Sequence, residues 1–215
     1  MNITLWINRI FLYCLVLLSI ANGVALAVKS DLGVSPVNAI PYVVSLITGI
    51  ELGRCVTIVF CCFIFIQLLI LGKKFRIYRL LQIPAATVFG YFVTLASWLV
   101  SYIPDCGNYF LRLVYLGISL VFIAVGVDLY LKPKVMSLPT EGTMEAIVER
   151  FGISFPNVKT GFDTTVVVAA SLVSLIAFHE LRGVREGTII AALAVGQLVK
   201  VWNRFTDKQL KEFLK

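Results

Sequence analysis

The link Lys29-Ser30-Asp31-Leu32-Gly33-Val34-Ser35-Pro36 has a counterpart about 103 residues further on, Lys132-Pro133-Lys134-Val135-Met136-Ser137-Leu138-Pro139. Each begins with a lysine at the end of a long apolar run. Each closes on a proline that starts a helical pattern, Pro36–Thr48 in the first half and Pro139–Phe151 in the second. Proline suits a first helical turn, where its missing N–H would have had no partner. Gly49 and Gly152 follow as stops, since glycine accepts the left-handed backbone that ends a helix. Such segments reach only about 20 Å, short of a hydrocarbon core of about 30 Å. They are therefore two short helices, interfacial or re-entrant, set between longer ones.

Working outward, six apolar runs are long enough to be spans: 10–28, 56–71, 80–102, 113–131, 161–178 and 188–201. Backbone polar groups in hydrocarbon must be satisfied within the segment, which makes these runs helices. The expected class is an all-α polytopic membrane protein of about six transmembrane helices plus the two short ones. Composition agrees: 59% of residues are hydrophobic and 14% charged, against about 25% charged in a soluble domain. The net charge of +7 sits in short runs such as Lys73-Lys74-Phe75-Arg76, as topology signals do. A nucleic-acid partner would need a continuous basic face on a soluble fold, so the expected partner is the lipid bilayer.

The two halves repeat. With the same shift, Arg9 meets Arg112, Gly23-Val24 meets Gly126-Val127, Lys29 meets Lys132, Pro36 meets Pro139 and Gly49-Ile50 meets Gly152-Ile153. Each copy runs span, short helix, span, span. Three spans is odd, so the second copy enters from the opposite side, an inverted 3+3 arrangement common in secondary transporters. The expected division is 1–105, 106–203 and a basic amphipathic tail, 204–215. With the N-terminus in the cytoplasm, fourteen of the 19 Lys and Arg fall inside and five (Lys29, Arg54, Arg112, Arg182, Arg185) outside, as the positive-inside rule expects. Both termini are then cytoplasmic. The first run ends Ala25-Leu26-Ala27, like a signal-peptide cleavage site, but its internal copy argues that it is retained.

The segments Gly23-Val24-Ala25-Leu26, Asp31-Leu32-Gly33-Val34-Ser35-Pro36 and Leu52-Gly53-Arg54 resemble the bacterial YczE/YyaS/YitT-like integral membrane family. Glu186-Gly187-Thr188-Ile189 and Gly196 are similar to the glycine-rich last span of such proteins. The resemblance implies a multi-pass protein of a bacterial plasma membrane, with transport often presumed and no defined chemistry. The second copy departs from the pattern, with Met136-Ser137-Leu138-Pro139 where the first has Gly33-Val34-Ser35-Pro36.

Function is expected at the broken segments. A helix starting at Pro36 or Pro139 presents free N–H groups and the positive end of its dipole, and in inverted-repeat transporters substrate sits between two such ends. The candidate substrate-binding residues are Ser35, Asn38, Thr140 and Thr143, with Lys29 and Lys132 adding positive charge; both lysines also suit snorkelling at span ends. Asp163 and Asp128 lie within spans, where a carboxylate usually faces a cavity or a partner. They are the candidates for binding a coupling ion or proton, and Asp163 has Lys132 and Lys159 as potential partners. On the second short helix, Glu141, Glu145 and Glu149 share a stripe that cannot face lipid. No nucleotide loop, nucleophile elbow, zinc-protease helix or dinucleotide fingerprint occurs. The five cysteines form no C-x-x-C pair, so no catalytic activity, metal or cofactor is expected. The expected function is a carrier of an anionic or zwitterionic small molecule, working by alternating access. The alternatives are a substrate-binding subunit of a multi-component uptake system and a non-transporting scaffold or assembly factor. A homo-oligomer or a partner membrane subunit is compatible with so small a chain.

Overall fold

The computed structural model describes residues 3–130 and 136–213. Among them, eight α-helices follow in order: α1 (Ile3–Ser30), α2 (Pro36–Thr48), α3 (Leu52–Leu71), α4 (Gln82–Ser101), α5 (Tyr109–Tyr130), α6 (Pro139–Phe151), α7 (Phe155–Phe178) and α8 (Glu186–Phe213). Two 3-10 turns, Gly72–Lys74 and Ile77–Leu81, join α3 to α4. The fold is all-α and polytopic. Five segments are long and apolar enough to cross a membrane: Ile7–Ser30, Leu52–Lys74, Ile77–Ser101, Tyr109–Tyr130 and Phe155–Phe178. The expected sixth span differs. It lies in α8, whose apolar stretch, Glu186–Val199, is shorter than the rest. The helix itself continues unbroken through most of the residues expected to form a tail.

The two short helices occupy the segments expected from the prolines. Pro sits in the first turn of both. Gly49 and Gly152 end them at the same left-handed φ of 69°, donating their N–H groups to Ser45 O and Val148 O.

The halves are related in contact as well as in sequence. Tyr13, early in α1, stacks near Tyr130 at the end of α5, with ring centroids 5.9 Å apart. Asp31, just past the end of α1, accepts a hydrogen bond from Arg112 near the start of α5. The two helices are thus antiparallel. Their contact is reciprocal: Gly23 packs on Ile123 and Gly126 packs on Ile20, and these are pairs of equivalent positions under the repeat. A contact in which i meets j and j meets i is what a two-fold relation produces. Serine hydroxyls cross the same seam, from Ser119 to Gly23 O and from Ser19 to Phe122 O. Further out, α1 packs on α4 as α5 packs on α8, and α2 on α7 as α6 on α3. One pairing has no counterpart. Helices α3 and α4 are tightly joined, whereas among the described residues α7 and α8 barely touch.

Candidate functional site

A cavity of about 300 Å³ opens where that pairing is missing, at the lower end of the size range for small-molecule sites. Its polar wall comes from three places. Ser35 and Asn38 stand at the start of α2, Thr140 and Glu141 at the start of α6, and Lys159 and Asp163 on the first turns of α7. Opposite them, α8 presents Ala191, Ala192, Val195 and Gly196. Phe60 and Phe89 close the floor from α3 and α4, with Met144 beside them. The convergence follows from local sequence: each proline starts a helix partway through the bundle, and that start delivers the next polar side chains inward.

Contacts within the wall are specific. Asn38 Nδ2 donates to Ser35 Oγ at 2.9 Å, which leaves the Asn38 Oδ1 buried without a donor. Thr140 donates its hydroxyl to Glu141 Oε2 at 2.8 Å. Lys159 Nζ pairs with Asp163 Oδ2 at 3.0 Å, one helical turn apart, while Asp163 Oδ1 is buried without a donor. A carboxylate carries about four acceptor positions, so Glu141 and Asp163 both retain capacity.

Ser35, Asn38, Thr140 and Asp163 therefore line one cavity, and Lys159 is the partner of Asp163. Thr143 lies outside it. Its hydroxyl faces α3 and donates to Pro139 O at 2.8 Å and Phe63 O at 3.3 Å. Lys29 stands at the end of α1 and pairs with Asp105 in the link between α4 and α5. Its ammonium holds the Asp105 carboxyl below the ordinary value. Asp128 is buried in α5 and is not part of the cavity wall. Lys132 lies outside the described residues.

Glu141 belongs in the site, and the sequence treated it only as part of a stripe. The stripe in fact diverges. Glu141 faces the cavity, Glu145 accepts the Ser137 hydroxyl, and Glu149 pairs with Arg79 at 3.0 Å. Positions spaced by four residues rotate by about 40° per step on a helix of 3.6 residues per turn, enough to send three carboxylates to three environments.

Arg79 corrects a second expectation. Placed by sequence in the surface cluster after Lys73, it is only 5% exposed. Its guanidinium donates to Gln67 Oε1, Gly142 O and Glu149 Oε2. Gln67 in turn donates to Gln82 Oε1 at 2.9 Å and Pro139 O at 3.0 Å. This knot fastens the first turns of α6 to α3 and α4, and Gly142 makes room for it, since a side chain there would strike Gln82. Gln67 thereby joins α3 to α4 and α6. Arg79 and Gln82 carried no sequence signal that separates them from surface residues.

Five apolar helices of membrane length and two broken helices whose N-termini meet at a charged cavity define a polytopic helical membrane protein. The chain belongs to the family of unknown function DUF6198, whose model matches residues 7–204. No curated protein and no solved structure matches it.

Proposed function

We propose that the chain is a carrier of a small zwitterionic molecule, binding it in this cavity and exposing it alternately to the two sides of a bacterial plasma membrane. In this reading 1–105 and 106–203 are inverted repeats, both termini are cytoplasmic, and the chain catalyses no covalent step. The likeness of its loop motifs to the YczE/YyaS/YitT-like proteins accords with it. The observation that carries the proposal is the meeting of the α2 and α6 starts with Asp163 and Lys159 in one cavity. Of the two substrate classes expected from sequence, the zwitterion fits better. Among the described wall residues, two carboxylates against one ammonium disfavour a bare anion, while the helix starts and Lys159 suit a carboxylate. Asp163 is the proposed coupling residue.

Reconstitution alone into proteoliposomes tests this. Accumulation of radiolabelled apolar amino acids under an imposed proton or sodium gradient, lost in Asp163→Asn, is the expected result. Binding without flux would favour the substrate-binding subunit. Neither binding nor flux, together with a protein that copurifies in fixed ratio, would favour the scaffold.

A further inference from the structure

We infer that the Asn38, Glu141 and Asp163 side chains form an ammonium-recognition site beside the helix starts, and that the molecule it takes is an organic ammonium compound with an apolar body. This deepens the carrier reading and rests on its choice of cavity. Three observations lead there.

The first is charge. Among the described residues that line the cavity, Glu141 and Asp163 are the carboxyl groups and Lys159 the ammonium group, and Lys159 already pairs with Asp163. The described wall thus holds one more carboxyl than ammonium group, and a charge away from water is costly enough to call for a counter-charge or a proton. The second is the sense of the open hydrogen bonds. Asn38 is 4% exposed, and its Oδ1 and the Asp163 Oδ1 are both buried acceptors with no donor. A ligand that satisfies them brings donors, and a primary ammonium brings three donors and no acceptor. The third is the remaining wall. Phe60, Phe89, Met144 and Val195 face the same space, which suits a hydrocarbon or aromatic body and gives a bare metal ion nothing. Among the described residues no three His, Cys, Asp or Glu side chains converge. Apolar walls with a few placed polar groups are what small-molecule sites are made of.

The test uses the full chain, purified in detergent, with phenethylammonium chloride, sodium phenylacetate, 2-phenylethanol and sodium chloride as probes in calorimetric titration. Phenethylammonium should bind, and the isosteric acid, alcohol and salt should bind at least about tenfold more weakly. Glu141→Gln should weaken the ammonium at least about tenfold, a charge-assisted contact having become a neutral one. Gly196→Phe should abolish binding in a folded protein, because Gly196 lines the cavity and its missing side chain would meet open space. Should Glu141→Gln not fold, Asn38→Leu takes its place with the same expectation. Tighter binding of phenylacetate would overturn the inference, as would ammonium binding that is indifferent to both Gly196→Phe and the polar-wall variant. Ammonium binding with no flux in proteoliposomes would sink the carrier and leave this site standing. Flux of an anion without ammonium binding would do the reverse.

Discussion

Helices α3 and α4 hold equivalent places in the first half to α7 and α8 in the second, yet the first pair is sealed and the second is parted. At the α3–α4 crossing, a side chain on Gly53 would collide with the Gly90 carbonyl oxygen and with Thr94, and one on Gly90 would collide with Thr57. Two backbones approach that closely only through glycine. Phe60 and Phe89 stack further along the same interface, with centroids 5.8 Å apart. Under the repeat, Gly53 corresponds to Pro156 and Gly90 to Leu193. Leu193 is 71% exposed, and the cavity occupies the space between the helices. Near-equal backbones thus give one closed seam and one open cleft, and the difference is written in a pair of glycines. An alternating-access carrier needs such inequality between its halves at any instant.

The largest expected effect is at the seam. Gly53→Leu should destabilise the protein by at least about 3 kcal/mol, the upper range for overpacking, because the obstacle is backbone with nowhere to go. Gly196→Leu, across the open cleft, is the matched control. It meets nothing, and leucine's better helix propensity should make it neutral to about 1 kcal/mol stabilising. Thermal unfolding midpoints of the two variants measure the contrast directly. Equal losses at both positions would mean that α7 and α8 also pack together.

Next in size is the Arg79 knot, which makes the closed side rigid at one end of the bundle. Arg79→Met should cost about 1–3 kcal/mol, because Gln67 Oε1 would be left buried without a donor. Glu149→Gln should cost under about 1 kcal/mol, since the Glu149 side chain is 41% exposed and water replaces the lost partner. Comparable losses in the two variants would show that the ion pair, and not the carbonyl and amide contacts, holds α6.

Much of this architecture was legible in the sequence because backbone chemistry is local. Pro36, Pro139, Gly49 and Gly152 mark helix ends that the structure places at the same residues, since a missing N–H or a left-handed φ depends on nothing distant. Asn38 and Thr140 followed from those ends, and Asp163 from being a carboxylate inside an apolar run. Other features depended on what lay opposite. Arg79 reads as a surface arginine until Gln67, from α3, and Gly142, from α6, are brought to it. Thr143 and Thr140 are alike in sequence, but a rotation of about 300° over three helical residues puts one against α3 and the other in the cavity. The sixth apolar run, 188–201, was read as a span from its composition, and in the structure it is the shorter apolar stretch of a helix that runs on into the polar tail.

The smallest effect concerns the outer rim of the open cleft. Asp31 adopts a left-handed φ of 53°, which exposes both its carboxylate and its carbonyl to neighbours. Arg112 and Arg185 reach its Oδ2 at 2.9 and 3.1 Å, and Arg185 also donates to its carbonyl oxygen at 2.8 Å. Asp31 thereby ties the entry of α8 to the end of α1 and the start of α5. Asp31→Asn keeps the amide-tolerant left-handed backbone and the carbonyl contact and removes only charge. With its side chain 56% exposed, the loss should be under about 1 kcal/mol and should shrink further as salt is raised. If α8 moves against α7 during transport, the same variant should change the rate of amino-acid uptake several-fold while the unfolding midpoint hardly shifts. A change in stability without a change in rate would make Asp31 a fastening of the rim alone and leave the movement of α8 to be sought elsewhere.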